Sequence, residues 1–263
     1  MPTEREPTFE EVLAWSMDAD PALFPHLPAL LQDVEELGAR VDEVLRVLAN
    51  VTISSEARVL DLGCGKGAVA LALAGKFGCS VHAVDGMAAF IRHAEDRAAS
   101  LGLTDNCVFA EADLCDAVQQ SHGYDLVCLN ALGGVLGRLD ETVGMLRECV
   151  VPGGLILVDD AYLKAGVEPS EDLAHCYSRD VTLELLTAHG DEILAELVVD
   201  GPESMDHYQQ MMKSIVRRAE ELAAQHPESA DLLLEFAMRQ AADVAMLDGP
   251  VEGALWLLKK AQP

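Results

Sequence analysis

At 263 residues the chain is long enough to bury a substantial core, and half of it is hydrophobic. Its 45 Asp and Glu outweigh 18 Lys and Arg, for a formal net charge of −27. That balance disfavours gripping duplex DNA, bulk RNA or an anionic membrane surface, although the same acidity also serves solubility alone. Apolar runs such as Leu155–Val158 and Leu255–Leu258 are too short to span a bilayer. The charged start Met1–Glu11 does not read as a secretory signal, so a cytoplasmic protein without membrane insertion is expected. Seven cysteines without a C-x-x-C pair indicate neither a disulfide framework nor a zinc knuckle. Cys79, Cys107 and Cys128 read as small core residues in a reducing compartment.

Taken in order, the first fifty residues read as helical. Phe9, Val12 and Leu13 form a short apolar stripe. Beyond Pro21–Pro28, the residues Leu30, Val34, Leu37, Val41, Val44, Leu45 and Leu48 recur at three- and four-residue spacing. Such spacing predicts one amphipathic helix, suited to cover a sheet edge, roof a pocket or pair with a second copy of the chain.

From residue 58 to about 158 the pattern becomes short apolar strands alternating with helical stretches. Val59–Leu62, Val81–Val84, Cys107–Ala110, Leu126–Leu129 and Leu155–Val158 are the predicted strands, with helices over Leu71–Phe77, Met87–Leu101 and Thr142–Val150. Alternation at this spacing predicts an α/β fold, a doubly wound and mostly parallel sheet covered on both faces. A helix near Arg179–His189, a strand over Glu192–Val199, a helical block over Met205–Met246 and a last strand over Gly253–Lys260 complete the chain. Pro227 marks a turn inside the helical block. The predicted organisation is therefore an amino-terminal helical part (1–50), a core (51–200), and a helical insertion with the final strand (201–263).

The sharpest motif is Val59-Leu60-Asp61-Leu62-Gly63-Cys64-Gly65-Lys66-Gly67, which follows a strand and opens a helix. Its glycines permit a tight strand-to-helix turn and leave no side chain between the backbone and a ligand. Asp85 directly follows the second strand, where a carboxylate can accept from both hydroxyls of a ribose. Loop and acid together describe a nucleoside site at the carboxyl ends of strands one and two. Gly63-Cys64-Gly65-Lys66-Gly67-Ala68 also passes the looser dinucleotide fingerprint, so an NAD-dependent oxidoreductase is the alternative on these residues alone.

At this point the sequence resembles the class I S-adenosylmethionine-dependent methyltransferases. Asp61–Gly67 is similar to their first motif, and Val84-Asp85-Gly86-Met87 to their second. Ala112-Asp113-Leu114 resembles the segment that cups the adenine, and Leu129-Asn130-Ala131 the turn beside the methionine moiety. Pro152-Gly153-Gly154 is similar to the family's common entry into strand five. The resemblance implies a Rossmann-like seven-stranded sheet with an antiparallel last strand. It also implies S-adenosylmethionine as cofactor and S-adenosylhomocysteine as product.

Residue by residue, the resemblance implies that Gly63, Cys64 (through its backbone) and Gly65 line the methionine part. Asp61 would hold the amino group or fix the loop, and Asp85 with Gly86 would take the ribose. Met87 and Leu114 would face the adenine and Asp113 would accept from its amino group. Ala112 and Asn130 complete the cofactor set. Simpler readings stand beside these, with Met87 and Leu114 as core residues and Asp113 as a helix cap.

Methyl transfer from a sulfonium needs alignment, exclusion of water and, for a protonated acceptor, a base. The candidates are Asn130, Asp159, Asp160, Tyr162, His207 and Tyr208, of which Asp160, Tyr162 and Tyr208 are taken as the catalytic set, with a general base expected from the Asp159-Asp160 pair. Asp159-Asp160 could also hold a divalent cation, but Asn130 stands where a second acid would help, and no metal is expected. Asn130-Ala131-Leu132-Gly133 lacks the Pro-Pro-aromatic signature of amide- and base-nitrogen methylation. The carboxyl-terminal third is similar in layout to the bacterial quinone-biosynthesis methyltransferase group, whose inserted and amino-terminal helices form a lid. The resemblance thus implies methyl transfer to an O, N or C atom of a small-molecule metabolite. A non-catalytic S-adenosylmethionine-binding protein is a further alternative, and pairing into a homodimer through the amino-terminal helix is expected.

Overall fold

Five parallel strands make up most of one sheet, in a computed structural model that describes residues 5, 7–130, 134–169, 173 and 176–262. They are β1 (Arg58–Leu62), β2 (Ser80–Asp85), β3 (Cys107–Glu111), β4 (Tyr124–Leu129) and β5 (Val150–Leu163). β6 (Glu192–Val198) and β7 (Val251–Lys259) complete a sheet of order β3-β2-β1-β4-β5-β7-β6. β7 runs antiparallel to both neighbours. Strands covered on both faces need not alternate polar with apolar, and β4 accordingly reads Leu126-Val127-Cys128-Leu129, all buried.

The helices, in chain order, are α1 (Phe9–Ser16), α2 (Leu27–Leu30), α3 (Val41–Val47), α4 (Ala68–Phe77), α5 (Ala88–Leu101), α6 (Leu114–Gln120), α7 (Leu139–Cys149), α8 (Arg179–Leu186), α9 (Pro202–Gln225) and α10 (Ala230–Asp248). The chain divides into two units. A helical unit comprises Met1–Glu35 and Pro202–Met246, and a sheet unit Glu36–Gly201 and Leu247–Pro263.

In the sheet unit, one face of the sheet gathers Leu60, Leu62, Val127, Leu129, Ile156, Val158, Tyr162, Trp256 and Leu258 against Val118, Val143, Leu146 and Leu186 of α6, α7 and α8. Trp256 is wholly buried. On the other face α3 packs against α4 and against β6 and β7. At the carboxyl end of this unit Asp191 receives both Arg147 and the Ala261 amide, the latter at 2.9 Å.

In the helical unit, Asp33 binds the guanidinium groups of Arg217 (2.7 Å) and Arg218 (2.5 Å), tying the segment after α2 to α9. Its buried residues include Leu23, Leu27 and Leu30 near the amino terminus, Met212, Ile215 and Ala219 of α9, and Leu233, Phe236 and Ala237 of α10. A 3-10 turn at Pro227–Ser229 separates the two helices, as Pro227 indicated.

Several expectations need correction. The stripe from Leu30 to Leu48 is not one helix: α2 ends at Leu30, turns follow, and α3 begins only at Val41. The division between the units falls at Glu35/Glu36, inside the stripe. Its apolar residues thus belong to two different units, Leu30 and Val34 buried in one and Val44 and Leu48 in the other. Of the α1 stripe, Leu13 is half-buried while Phe9 and Val12 are exposed, and the buried residue of this helix is Ala14. β5 runs well beyond Val158, because β7 pairs with it as far as Leu163. α6 adds a helix over Leu114–Gln120, and Asp113 caps it, in line with the simpler reading of that residue.

Candidate active site

The glycine turn joins β1 to α4 with Gly63, Gly65 and Gly67 all at positive φ (69°, 52° and 76°). Gly67 has a second reason to be glycine: a Cβ there would lie 2.9 Å from the Ala94 Cβ and 2.9 Å from Phe109 Cε1. Neighbouring strand ends hold the turn. The amides of Gly63 and Cys64 both donate to the Val84 carbonyl, at 2.8 and 2.9 Å. The Gly65 amide donates to Asp85 Oδ2 at 2.8 Å, and the Met87 amide to Asp85 Oδ1 at 2.8 Å. One carboxylate therefore pins both the glycine turn and the β2–α5 turn that contains Gly86. Each of its oxygens keeps a second lone pair to accept from a ligand. Burial pushes the Asp85 carboxyl above its ordinary range, against the two amide bonds that lower it.

Asp61 lies at the heart of the site and is essentially buried. It accepts from the Ala70 backbone and, at Oδ1, from Asn130 Nδ2 at 3.5 Å. Burial first, and the nearby Asp85 charge second, push its pKa up to about 7. Asp61 Oδ2 and Asn130 Oδ1 are buried without a hydrogen-bond partner among the described residues. Two buried, unmatched acceptors beside a glycine turn fit a cationic donor group, because an unpaired buried polar atom is costly. The Cys64 thiol is buried and pushed well above its usual range, chiefly by burial, so Cys64 can contribute through its backbone rather than as a nucleophile.

At the end of β3, the Ala112 amide donates to the Asp85 carbonyl at 3.1 Å. Asp113 Oδ1 caps α6 through Cys115 N (2.7 Å) and Asp116 N (3.2 Å). Met87 is buried at the start of α5, and Ala112 and Leu114 pack, half-buried, on the core. The structure thus brings Asp61, Gly63, Cys64, Gly65, Asp85, Gly86, Met87, Ala112 and Asn130 to the carboxyl ends of β1, β2, β3 and β4, with Asp113 and Leu114 beside them. Ala131, Leu132 and Gly133 lie outside the described residues.

Two of the catalytic candidates, Asp160 and Tyr162, belong to β5 in the same unit as this set, and the third, Tyr208, to the helical unit. Asp61 is in register with Cys128, and Cys128 with Leu157. Strand alternation then puts Asp61, Asn130 and Asp159 toward one face and Val158, Asp160 and Tyr162 toward the other. Tyr162 Oη donates to Glu252 Oε2 at 3.0 Å, and its ring lies 6.1 Å from Trp256. Burial and Glu252 push its pKa up to about 12. Asp160 Oδ1 accepts from the Ala161 amide at 2.7 Å. His207 and Tyr208 belong to α9 in the helical unit, with rings 5.8 Å apart edge to face. Leu37 was read only as a stripe residue. Its Cδ1 would lie 3.0 Å from a Cβ on Gly65, a proximity that helical periodicity had no means to reveal. Among the described residues no group of three or more His, Cys, Asp or Glu is placed to hold a metal ion, and no helix is long and apolar enough to cross a membrane.

Comparison with known proteins agrees with this geometry. The chain is 32% identical over 114 residues to a probable cobalt-precorrin-6B C(15)-methyltransferase (decarboxylating) of Methanothermobacter thermautotrophicus, covering 43% of this chain and 57% of that protein. It is 30% identical over 133 residues to a trans-aconitate 2-methyltransferase of Paracidovorax citrulli, covering 50% of this chain and 48% of that one. The match thus spans about half the length of these relatives. An S-adenosylmethionine-dependent methyltransferase from Geobacter sulfurreducens, crystallised with S-adenosyl-L-homocysteine, superposes with a TM-score of 0.75 at 18% identity, over 88% of this chain and 96% of that chain. Residues 53–220, most of the chain, match the methyltransferase domain family. With the glycine turn, the β2 acid and the sheet order already in place, the chain belongs to that family.

Proposed function

We propose that this enzyme transfers a methyl group from S-adenosylmethionine to an O, N or C atom of a small-molecule metabolite, releasing S-adenosylhomocysteine. The observation that carries the reading is the pair of unmatched buried acceptors, Asp61 Oδ2 and Asn130 Oδ1, beside a turn with glycine at positive φ at positions 63, 65 and 67. When bound, the cofactor supplies an electrophilic methyl on a sulfonium whose leaving group departs neutral. The chain's own task is to bind, align and keep water out. Asp61 and Asn130 accept from the cationic amino group, and Gly63, Cys64 and Gly65 line the methionine part through their backbone. Asp85 and Gly86 take the ribose. Met87, Ala112 and Leu114 enclose the adenine, and Asp113 Oδ2, the oxygen not used in capping α6, accepts from its amino group.

If the acceptor must lose a proton, Asp160, Tyr162 and Tyr208 are the sequence-derived candidates. Strand alternation favours Asp159 over Asp160 for a position on the Asp61 face. A tyrosine engaged by Glu252 suits hydrogen bonding better than proton abstraction. A small-molecule acceptor agrees with the names of both curated relatives and with the acidic balance of the chain. The lid role of residues 1–50 and of the helices within 201–263, likeness to the quinone-biosynthesis group, a cytoplasmic location and a homodimer all remain part of this proposal.

The test is parallel calorimetric titration with S-adenosylmethionine, S-adenosylhomocysteine and NAD. Micromolar binding of the first two without the third supports the reading, whereas binding of NAD alone replaces it with the oxidoreductase alternative. Turnover of a screened acceptor separates an enzyme from a non-catalytic binder.

A further inference from the structure

We propose that Leu37 is a cofactor-contacting residue, closing an apolar wall over the glycine turn at the methionine end. The inference rests on the reading that Gly63–Gly65 carries the methionine part.

A Cβ built on Gly65 would meet Leu37 Cδ1 at 3.0 Å and the Leu37 Cβ and Cγ at 3.8 Å. Leu37 therefore lies in van der Waals reach of a backbone position already reserved for glycine by its φ of 52°. Residues 36–40 are irregular, with bends at 37–39 rather than helix, and they belong to the same unit as the glycine turn. Their path is fixed from behind. The Val41 amide donates to Glu36 Oε2 at 3.4 Å, and Arg40 pairs with Asp42 at 2.9 Å and with Glu43 at 3.7 Å. α3, which follows directly, packs against α4, the helix that the glycine turn opens. Leu37 is thus held over the turn by an anchored strap.

The chemistry of the side chain gives this placement meaning. The edge below it carries the acids Asp61 and Asp85, which attract cations and water alike. An isobutyl group adds no hydrogen-bonding atom, so it excludes water without competing for the acids. Leu37 is only half-buried, leaving apolar surface that a ligand on the turn would cover. In a sulfonium displacement, water excluded at that end keeps the electrophile from being screened or hydrolysed.

The test compares wild type with Leu37→Ala and Leu37→Met, by calorimetry with S-adenosylmethionine and S-adenosylhomocysteine and by stopped-flow dissociation. Leu37→Ala should weaken both ligands about tenfold, mainly through faster dissociation. Leu37→Met, of similar volume, should stay within about twofold of wild type. Melting temperatures of the free proteins report whether Leu37 serves only the fold. Should Leu37→Ala fail to fold, Leu37→Gln repeats the comparison with similar length and lost apolarity. Unchanged affinity in a folded variant overturns the inference. Tighter binding also overturns it, since Leu37 would then occupy the cofactor's place. A wild-type protein that binds neither ligand would instead remove the functional reading itself.

Discussion

Asn130 and Asp61 meet at 3.5 Å across β4 and β1, and each keeps one buried oxygen without a partner among the described residues. Asp61 has a pKa of about 7, raised by burial and by Asp85. A cationic group placed against Oδ2 would lower it again, so binding must expel a proton wherever Asp61 starts protonated. S-adenosylmethionine affinity should therefore fall as pH drops below 7, approaching tenfold per pH unit. Titration in two buffers of different ionisation enthalpy should show proton release near pH 6.5, absent in Asp61→Asn. Affinity independent of pH between 6 and 8 would refute the assignment.

The same shift has a sign for stability. The folded-state pKa of Asp61 lies above the unfolded value of about 3.9, so its ionised form costs stability. That cost is complete above pH 7, shrinks as pH falls through the folded pKa, and is gone near pH 4. Asp61→Asn should raise the melting temperature of the free protein at pH 8 while weakening the cofactor. The stabilisation should be on the order of 1–3 kcal/mol. Thermal melts at pH 8 and pH 5 test this, and a variant equally stabilised at both would mean that another cause is at work.

Asp85 ties two turns together with one carboxylate. Asp85→Ala should weaken S-adenosylhomocysteine by about 1–3 kcal/mol, through lost charge-assisted bonds and a loosened turn. Asp85→Asn keeps one oxygen to accept from Gly65 or Met87 and should fall between. A folded alanine variant with wild-type affinity would count against the ribose assignment.

Gly67→Ala meets two obstacles, a left-handed φ and contacts of 2.9 Å to Ala94 and Phe109. It should destabilise by about 2–5 kcal/mol. Gly102, at φ 68° with nothing within 4 Å of a Cβ, provides the control. Gly102→Ala should cost only about 1 kcal/mol. Equal costs in denaturant titrations would show that crowding at Gly67 is relieved by movement.

Tyr162→Phe removes the hydroxyl that donates to Glu252 and should cost about 1 kcal/mol of stability. Cofactor affinity should be unchanged, because Tyr162 faces away from Asp61. A marked loss of affinity would place the two faces in communication.

How much of this was legible in the sequence depended on the range of the force involved. Uninterrupted apolar runs such as Leu126–Leu129 marked strands covered on both faces, and the glycines of 63–67 announced a turn, because both are local requirements of the backbone. The candidate site at β1 and β2 was inferred from that turn and one acid. Leu30–Leu48 misled because apolar spacing reports burial and not the body in which burial happens. Tyr162 was named on its position after a strand that proved longer, since only the pairing with β7 carries β5 beyond Val158. Asp113 left cap and ligand readings open, and its backbone partners account for one oxygen only. The face on which Asp159 or Asp160 lies needed the register with β4, which no local pattern contains.

The two tryptophans of the chain lie in different units. Trp15 is 54% exposed on α1, while Trp256 is wholly buried in β7. An indole in water emits further to the red than one in an apolar interior, so the protein carries a separate optical reporter in each part. The red edge of the emission follows the helical unit, and the blue edge follows the sheet. Melting monitored at both edges would therefore show whether the two parts unfold as one or in succession, without any label being attached.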